Sequence, residues 1–234
     1  MPDLAISRLG SELLDDPAAG GARVEATLRN MARSNRWFGG TAALRYGLRR
    51  TLGHLPPGTS VSLLDLGAGL GDGARAARAW GARRGLRIRA VGLERNRLAA
   101  RLAHRRGLPM VAGCAGSPPI AERGVDVVVV SQVAHHFERD SAVELFRTCD
   151  RLARLGVIVA DLRRGPLARL AFWVGARLLG FDPDTKRDGM TSLRRGFTRG
   201  ELLRLLECAG IRARVARRPG YRLVATWVPG GAAP

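Results

Sequence analysis

In "VSLLDLGAGLGDGARAAR" (61–78) an apolar run ends in Asp65, glycines follow at 67, 69 and 71, and a helix-like segment begins at once. Glycine lacks the Cβ that would keep a ligand off the backbone, and it accepts the positive φ of a tight turn. The helix that follows offers unsatisfied N–H groups and the positive end of its dipole. Strand, glycine loop and helix in this order suit a nucleotide-like ligand, although an ordinary glycine turn has the same composition. Glu94 adds a second group. It closes the next predicted strand in "IRAVGLERN" (88–96), and in a doubly wound sheet a carboxylate there can accept both hydroxyls of a ribose beside the glycine loop.

The spacing separates the candidate ligands. From Gly67 to Glu94 is 27 residues, longer than the ~20 of a dinucleotide fingerprint. A G-x-G-x-x-G match from Gly67 fails at Asp72. A pyrophosphate would meet Asp65 and Asp72, whereas a cationic nucleoside would not. S-adenosylmethionine carries a sulfonium and an ammonium and no phosphate, so the electrostatics favour it.

Positioning these residues requires a parallel sheet. The pattern predicts strands at 61–66, 87–93, 109–113, 125–131 and 155–161, alternating with helices at 72–84, 96–106 and 138–154. Such alternation argues for helices on both faces, and the nearly all-apolar "GVDVVVVSQ" (124–132) suits a strand buried on both sides. Thr198 and Glu201 form a capping box for a helix at 198–209. Strands at 211–217 and 221–228, joined at "RPGY" (218–221), suggest an antiparallel hairpin. The expected fold class is therefore α/β, doubly wound: a mostly parallel seven-stranded Rossmann-like sheet with a terminal antiparallel hairpin. Residues 1–58 are expected to form a helical N-terminal cap broken at Gly39-Gly40, with 59–234 as the core and a lid insertion at 163–197.

"LLDLGAGLG", "VGLERN" and "GVDVVVVSQVAHHF" together resemble three motifs of the class I S-adenosylmethionine-dependent methyltransferases, over about residues 60–228. "HHF" and "GFTRGELLRLLECAGI" are similar to the branch that methylates quinones and natural products such as polyketides. The resemblance implies that Gly67, Ala68 and Gly69 lie under the cofactor with Asp65 near its amino group. It implies that Glu94 holds the ribose, that Arg95 and Asn96 flank the adenine, and that Gln132 and Val133 face the sulfonium. The family commonly has an aspartate after the third strand for the adenine amino group. Cys114, followed by Ala115, stands there instead, leaving a backbone carbonyl or Ser117 to serve.

Methyl transfer is an in-line displacement governed by positioning and exclusion of water. A base helps when the acceptor is a hydroxyl. His135 or His136 after the fourth strand is the candidate, with Asp161 next, although either histidine could merely cap the following helix. The Asn/Asp-Pro-Pro-aromatic motif of nucleobase-amino methylation is absent after that strand, where the chain reads "SQVAHH". Trp37, Phe38, Phe172, Trp173, Leu178 and Phe181 lie outside the core sheet, and most of them are expected to be packed. Trp37, Phe38 and Phe172 are the candidates for an apolar acceptor, and Arg163 and Arg195 for an acidic group on it. The segment 166–181 could instead lie on a membrane surface.

Charge alone does not decide. The 234 residues carry a formal charge of +19, nearly all arginine, since Lys186 is the only lysine. The arginines are spread among alanines and glycines, which suits a solvated basic surface more than a nucleic-acid stripe. Cys114, Cys149 and Cys208 have no metal-ligand spacing and suggest a reducing compartment. No secretory signal or membrane-spanning run is evident, so a cytoplasmic location is expected. An RNA or protein methyltransferase, or a cofactor-binding partner of another enzyme without transfer activity, are the rival readings.

Overall fold

The computed structural model describes residue 5, residues 9–16 and residues 18–231, so part of the expected cap lies outside the described residues. Seven strands form one sheet in the order β3-β2-β1-β4-β5-β7-β6. They are β1 (Ser60–Leu66), β2 (Arg87–Glu94), β3 (Met110–Ala112), β4 (Val125–Ser131), β5 (Ala153–Leu162), β6 (Arg214–Arg218) and β7 (Arg222–Trp227). The first five pair in parallel, and β7 runs antiparallel between β5 and β6. The expected hairpin is present, although 211–213 stay outside its first strand.

Period-two burial builds the layers. Leu64, Leu66, Val128, Val130, Val157 and Val159 pack under α5 (Arg139–Leu152) and α8 (Arg199–Cys208). Leu63, Val127, Val129, Ile158 and Ala160 face α2 (Gly40–Leu52) and α3 (Asp72–Ala82). The helix α4 (Arg97–Arg105) lies between β2 and β3 in the chain. The expected capping box of α8 is formed by Thr198 and Glu201.

The N-terminal region corrects one expectation. α1 (Gly21–Trp37) covers the loop ends, but α2 belongs to the sheet's own helical layer. Leu44, Leu48 and Leu52 are fully buried there, and a Cβ on Gly47 would stand 2.3 Å from Ile158 Cγ2. Helix and strand touch backbone to side chain, so α2 is part of the core and not of a cap.

Residues 163–197 hold a helix pair, α6 (Pro166–Leu178) and α7 (Pro183–Arg195). Proline opens each helix, where its missing N–H costs no hydrogen bond. The pair leaves and returns side by side: Phe197 N–H donates to Leu162 O (3.0 Å) and Arg164 N–H to Phe197 O (3.0 Å). Asn30 Nδ2 donates to Asp182 Oδ2 (2.7 Å) and Leu13 N–H to Asp188 Oδ2 (3.0 Å), tying α7 to α1 and to the N-terminal segment. Together these elements roof the ends of β1 and β4, where the strand order reverses and α/β sheets bind ligands.

Candidate active site

The loop after β1 uses its glycines unequally. Gly67, Gly69 and Gly71 all have positive φ (71°, 53° and 76°). A Cβ on Gly67 would stand 2.4 Å from Val133 Cγ2, and one on Gly71 2.7 Å from Leu108. One on Gly69 would meet no atom within 4 Å. Two of the glycines let protein pack, and the third faces a space a ligand could enter. Glu94 closes the other side of that space: Gly69 N–H donates to Oε2 and Asn96 N–H to Oε1, both at 2.9 Å. Asp65 is buried behind the loop, and its Oδ2 has no hydrogen-bond partner among the described residues. Burial pushes its carboxyl up to about 7; the Ala74 N–H opposes this, while the charges of Glu94 and Asp72 add to it.

Two adjoining cavities collect the residues proposed for the cofactor, Asn96 excepted. Gly67, Gly69, Glu94, Arg95, Cys114, Ala115, Gln132 and Val133 line one, and Asp65, Ala68 and again Gln132 line its neighbour. Asn96, expected beside the adenine, is instead the buried N-cap of α4, accepting from Ala99 N–H and donating to Ala19 O. Ser117 is exposed and does not line the space beside Cys114.

A third, more apolar cavity lies under the roof. Its wall includes Trp37, Phe38, Phe172, Leu162, Gln132, His135 and His136. It shares Glu12, Met31, Gln132, His136 and Asp188 with the glycine-loop cavity, so the two spaces are contiguous. Gln132 stands at the junction with a φ of 58°, rare for a residue with a side chain. Arg222 Nη1 donates to its Oε1 (2.6 Å), its Nε2 donates to Asn35 Oδ1, and its N–H donates to Ala160 O (2.8 Å), which together hold that conformation.

His135 is buried, and its Nδ1 lies 2.6 Å from Asp161 Oδ1 at the end of β5, so two groups expected as alternative bases are paired with each other. Burial alone would raise Asp161, but the charge and hydrogen bond of His135 and the Leu162 N–H hold it below the usual carboxylate range. His135 Nε2 has no partner among the described residues. The adjacent histidine differs in company: His136 Nδ1 lies 2.8 Å from Asp15 Oδ1, with Glu12 and Arg195 beside it.

Two substrate expectations need correction. Arg195 does not reach the apolar cavity; its side chain has no exposure and pairs with Asp15 (2.8 Å) and Glu12 (3.3 Å). It is a positioning residue, because a buried guanidinium needs those carboxylates. Arg163 stacks over Tyr221 (5.2 Å) and is likewise outside that wall. The aromatic set also divides. Phe172 and Phe181 are buried, but Trp37, Trp173 and Leu178 are exposed, so fewer are packed than expected.

Residues the sequence reading missed are Glu12, Asn35, Asp188 and Arg222. No local motif marks them, since each comes from a different element and only the fold assembles them. The fold also brings ligand-type atoms of Glu12, His135 and His136 within 4.8 Å of one another, a grouping that sequence spacing did not reveal. Arg195 already supplies a cation against the Glu12 carboxylate.

Residues 64–160 match a family model described as a methyltransferase domain. Over this stretch the chain is similar to a methyltransferase domain. No curated protein matches it in sequence. Among solved structures, a SAM-dependent methyltransferase from Aquifex aeolicus is similar with a TM-score of 0.60 and 14% identity, covering 90% of this chain and 97% of that one. The plantazolicin methyltransferase BpumL in complex with SAH gives 0.63 and 14%, covering 87% and 88%. The related BamL, in complex with a triazolic desmethylPZN analog and SAH, gives 0.62 and 14%, covering 85% and 73%. At such identities these likenesses speak for the fold. The cofactor that the sequence resemblance implies for such a domain is S-adenosylmethionine. The residues present fit it: an open glycine face, a carboxylate beside it and a buried orphan carboxyl oxygen suit a diol-bearing cation.

Proposed function

We propose that this methyltransferase acts on a hydroxyl oxygen of a small aromatic or polyketide-like acceptor held in the apolar cavity. One observation carries the reading: His135, oriented by Asp161 and with a buried Nε2 that has no partner among the described residues, is a wall residue of a cavity that adjoins the glycine-loop space. The donor site would comprise Asp65 near the ammonium, Gly67 to Gly69 beneath, Glu94 at the ribose, and Arg95, Cys114 and Ala115 around the adenine. Bound there, the cofactor supplies a methyl carbon on a sulfonium.

The remaining work belongs to this chain. Trp37, Phe38 and Phe172 would hold an aromatic acceptor and keep water out. Gln132, fixed by Arg222 and Asn35, would separate acceptor from donor and set their approach. His135 Nε2 would take the hydroxyl proton as the oxygen becomes nucleophilic, and Asp161 would stabilise the resulting imidazolium. Such a base contributes typically ~10²–10⁴-fold.

A second reading has its own observation. Asp188 and Glu12 put carboxylates on the cavity wall, and burial together with the Glu12 charge raises Asp188 despite the Leu13 N–H. An amine acceptor would suit them, with nitrogen replacing oxygen as nucleophile.

The test is labelled methyl transfer across paired phenols and their amine counterparts, with RNA as a macromolecular acceptor. Label on phenols, lost when the hydroxyl is blocked, supports the reading. Transfer to amines favours the second, and transfer confined to RNA with a steep salt dependence sinks both.

A further inference from the structure

We propose that α6 is an interfacial helix that seats the protein on an anionic lipid bilayer. Its surface is unusual for a soluble chain. Leu167 (64% exposed), Leu170 (58%), Val174 (41%) and Leu178 (82%) recur at helical spacing along one side, with Trp173 (48%) on its flank. More than half of the exposed large apolar side chains among the described residues lie on this one 13-residue helix. The opposite side, Ala168, Phe172 and Ala176, is buried in the roof. Packing therefore does not account for the outer stripe, and contiguous exposed apolar surface of this kind marks an interaction site.

The charge around it selects the occupant. From Leu162 to Phe181 the chain has four arginines and no acidic residue. From Ala26 to Leu64 it has six arginines and again no acidic residue. The two stretches meet at α6, where Arg33 Nη2 donates to Leu179 O (2.9 Å). Arg177 stacks on Trp173 at 3.6 Å. A second copy of this face would bring the same positive field against itself. Nucleic acid would satisfy the arginines and leave the leucines in water. An anionic bilayer takes both: leucines enter the acyl boundary, tryptophan sits at the headgroups, and arginines extend to lipid phosphates. No helix among the described residues is long and apolar enough to cross a membrane, so α6 lies on the surface.

The same helix supplies Ala168, Ala171 and Phe172 to the apolar cavity, whose wall also includes the exposed Trp37. Docking would put the cavity beside the lipid phase. An apolar acceptor could then enter from the bilayer, a consequence that rests on the acceptor reading above, whereas the docking itself does not.

The experiment is co-sedimentation of the full chain with vesicles of phosphatidylcholine alone or mixed equally with phosphatidylglycerol. It compares wild type with Leu170→Glu/Leu178→Glu, two exposed positions outside the cavity wall. Circular dichroism and S-adenosylhomocysteine binding establish that the variant is folded. Wild type is expected to partition onto anionic vesicles with a blue-shifted tryptophan emission, and the variant about tenfold or more weakly. Wild type remaining in the supernatant overturns the proposal. So does equal binding by the variant, which would reduce the effect to charge alone. A dimer dissolved by the two substitutions, without vesicle binding, would assign the stripe to a second copy. Transfer to water-soluble acceptors without vesicles is scored separately, so failure of the acceptor reading is distinguishable.

Discussion

His135 and His136 adjoin in sequence and differ in chemistry because their Nδ1 atoms meet different carboxylates. His135 leans on Asp161, at the end of β5, and keeps Nε2 without a partner among the described residues. His136 leans on Asp15 and belongs to the N-terminal contact. Asp161→Asn should therefore lower kcat by about 10²–10⁴-fold while leaving S-adenosylhomocysteine affinity intact, measured by single-turnover transfer beside calorimetry. Equal loss of binding would make the pair structural. Asp65 gives a pH prediction. With its carboxyl pushed to about 7, the native protein retains a proton that the unfolded chain has lost, so this group's contribution to stability falls as pH rises from the ordinary carboxylate range towards 7. An ammonium placed beside Asp65 would draw the pKa back down. Cofactor-product binding at about pH 6 should then release a proton, and affinity should rise with pH up to about 7 and level off. Calorimetry in buffers of different ionisation enthalpy reads the proton directly, and absence of release would remove the ammonium from Asp65.

At the scale of elements, the N-terminal segment is packed through Leu13 and Leu14 and clamped across the site by charge pairs. Leu13–Asp15 form a 3₁₀ turn whose Glu12 and Asp15 meet Arg195 of α7 and His136 after β4. Burial works against Asp15, yet His136 and Arg195 hold its carboxyl well below the usual range. Burial likewise lowers His136, but the Asp15 hydrogen bond and the Glu12 charge outweigh it. The Asp15 contribution is present above the ordinary carboxylate pKa and is lost as pH falls through the depressed one. That of His136 is full below the ordinary histidine value and is lost as pH rises through the raised one. The clamp is thus strongest from mildly acidic pH to near neutrality. Arg195→Met should cost about 3–5 kcal/mol by stranding buried carboxylates. The expected signs are a lower Tm, faster proteolysis near residues 9–16 and weaker cofactor-product binding. A variant as stable and protected as wild type would contradict the clamp. Strands and helices of the core were legible because period-two and helical patterns, the glycine loop and the Thr198/Glu201 box are local signals. Arg195 was not: from sequence it is one arginine among many, and its burial depends on a segment more than 170 residues away.

At the scale of the molecule, the strand order reverses between β1 and β4, and this brings the glycine loop and the histidine turn to the wall of one crevice. The glycine-loop cavity was readable because Asp65, the glycines and Glu94 lie at two adjacent strand ends. The apolar cavity is assembled from α1, the N-terminal turn, α6, α7 and β7, so Glu12, Asn35, Asp188 and Arg222 carried no common signal. The helical content of the N-terminal region was also legible, but not its division, since only tertiary packing decides that α2 joins the core. The central claim is that Glu94 and the open face of Gly69 form the site for the nucleoside half of the cofactor. Calorimetric titration with S-adenosylhomocysteine, on wild type and Glu94→Ala, tests it most directly. Micromolar binding by wild type, weakened about ten- to hundredfold by loss of charge-assisted hydrogen bonds, is the expected result. A folded wild type that does not bind, or a Glu94→Ala variant that binds as well, would contradict the account.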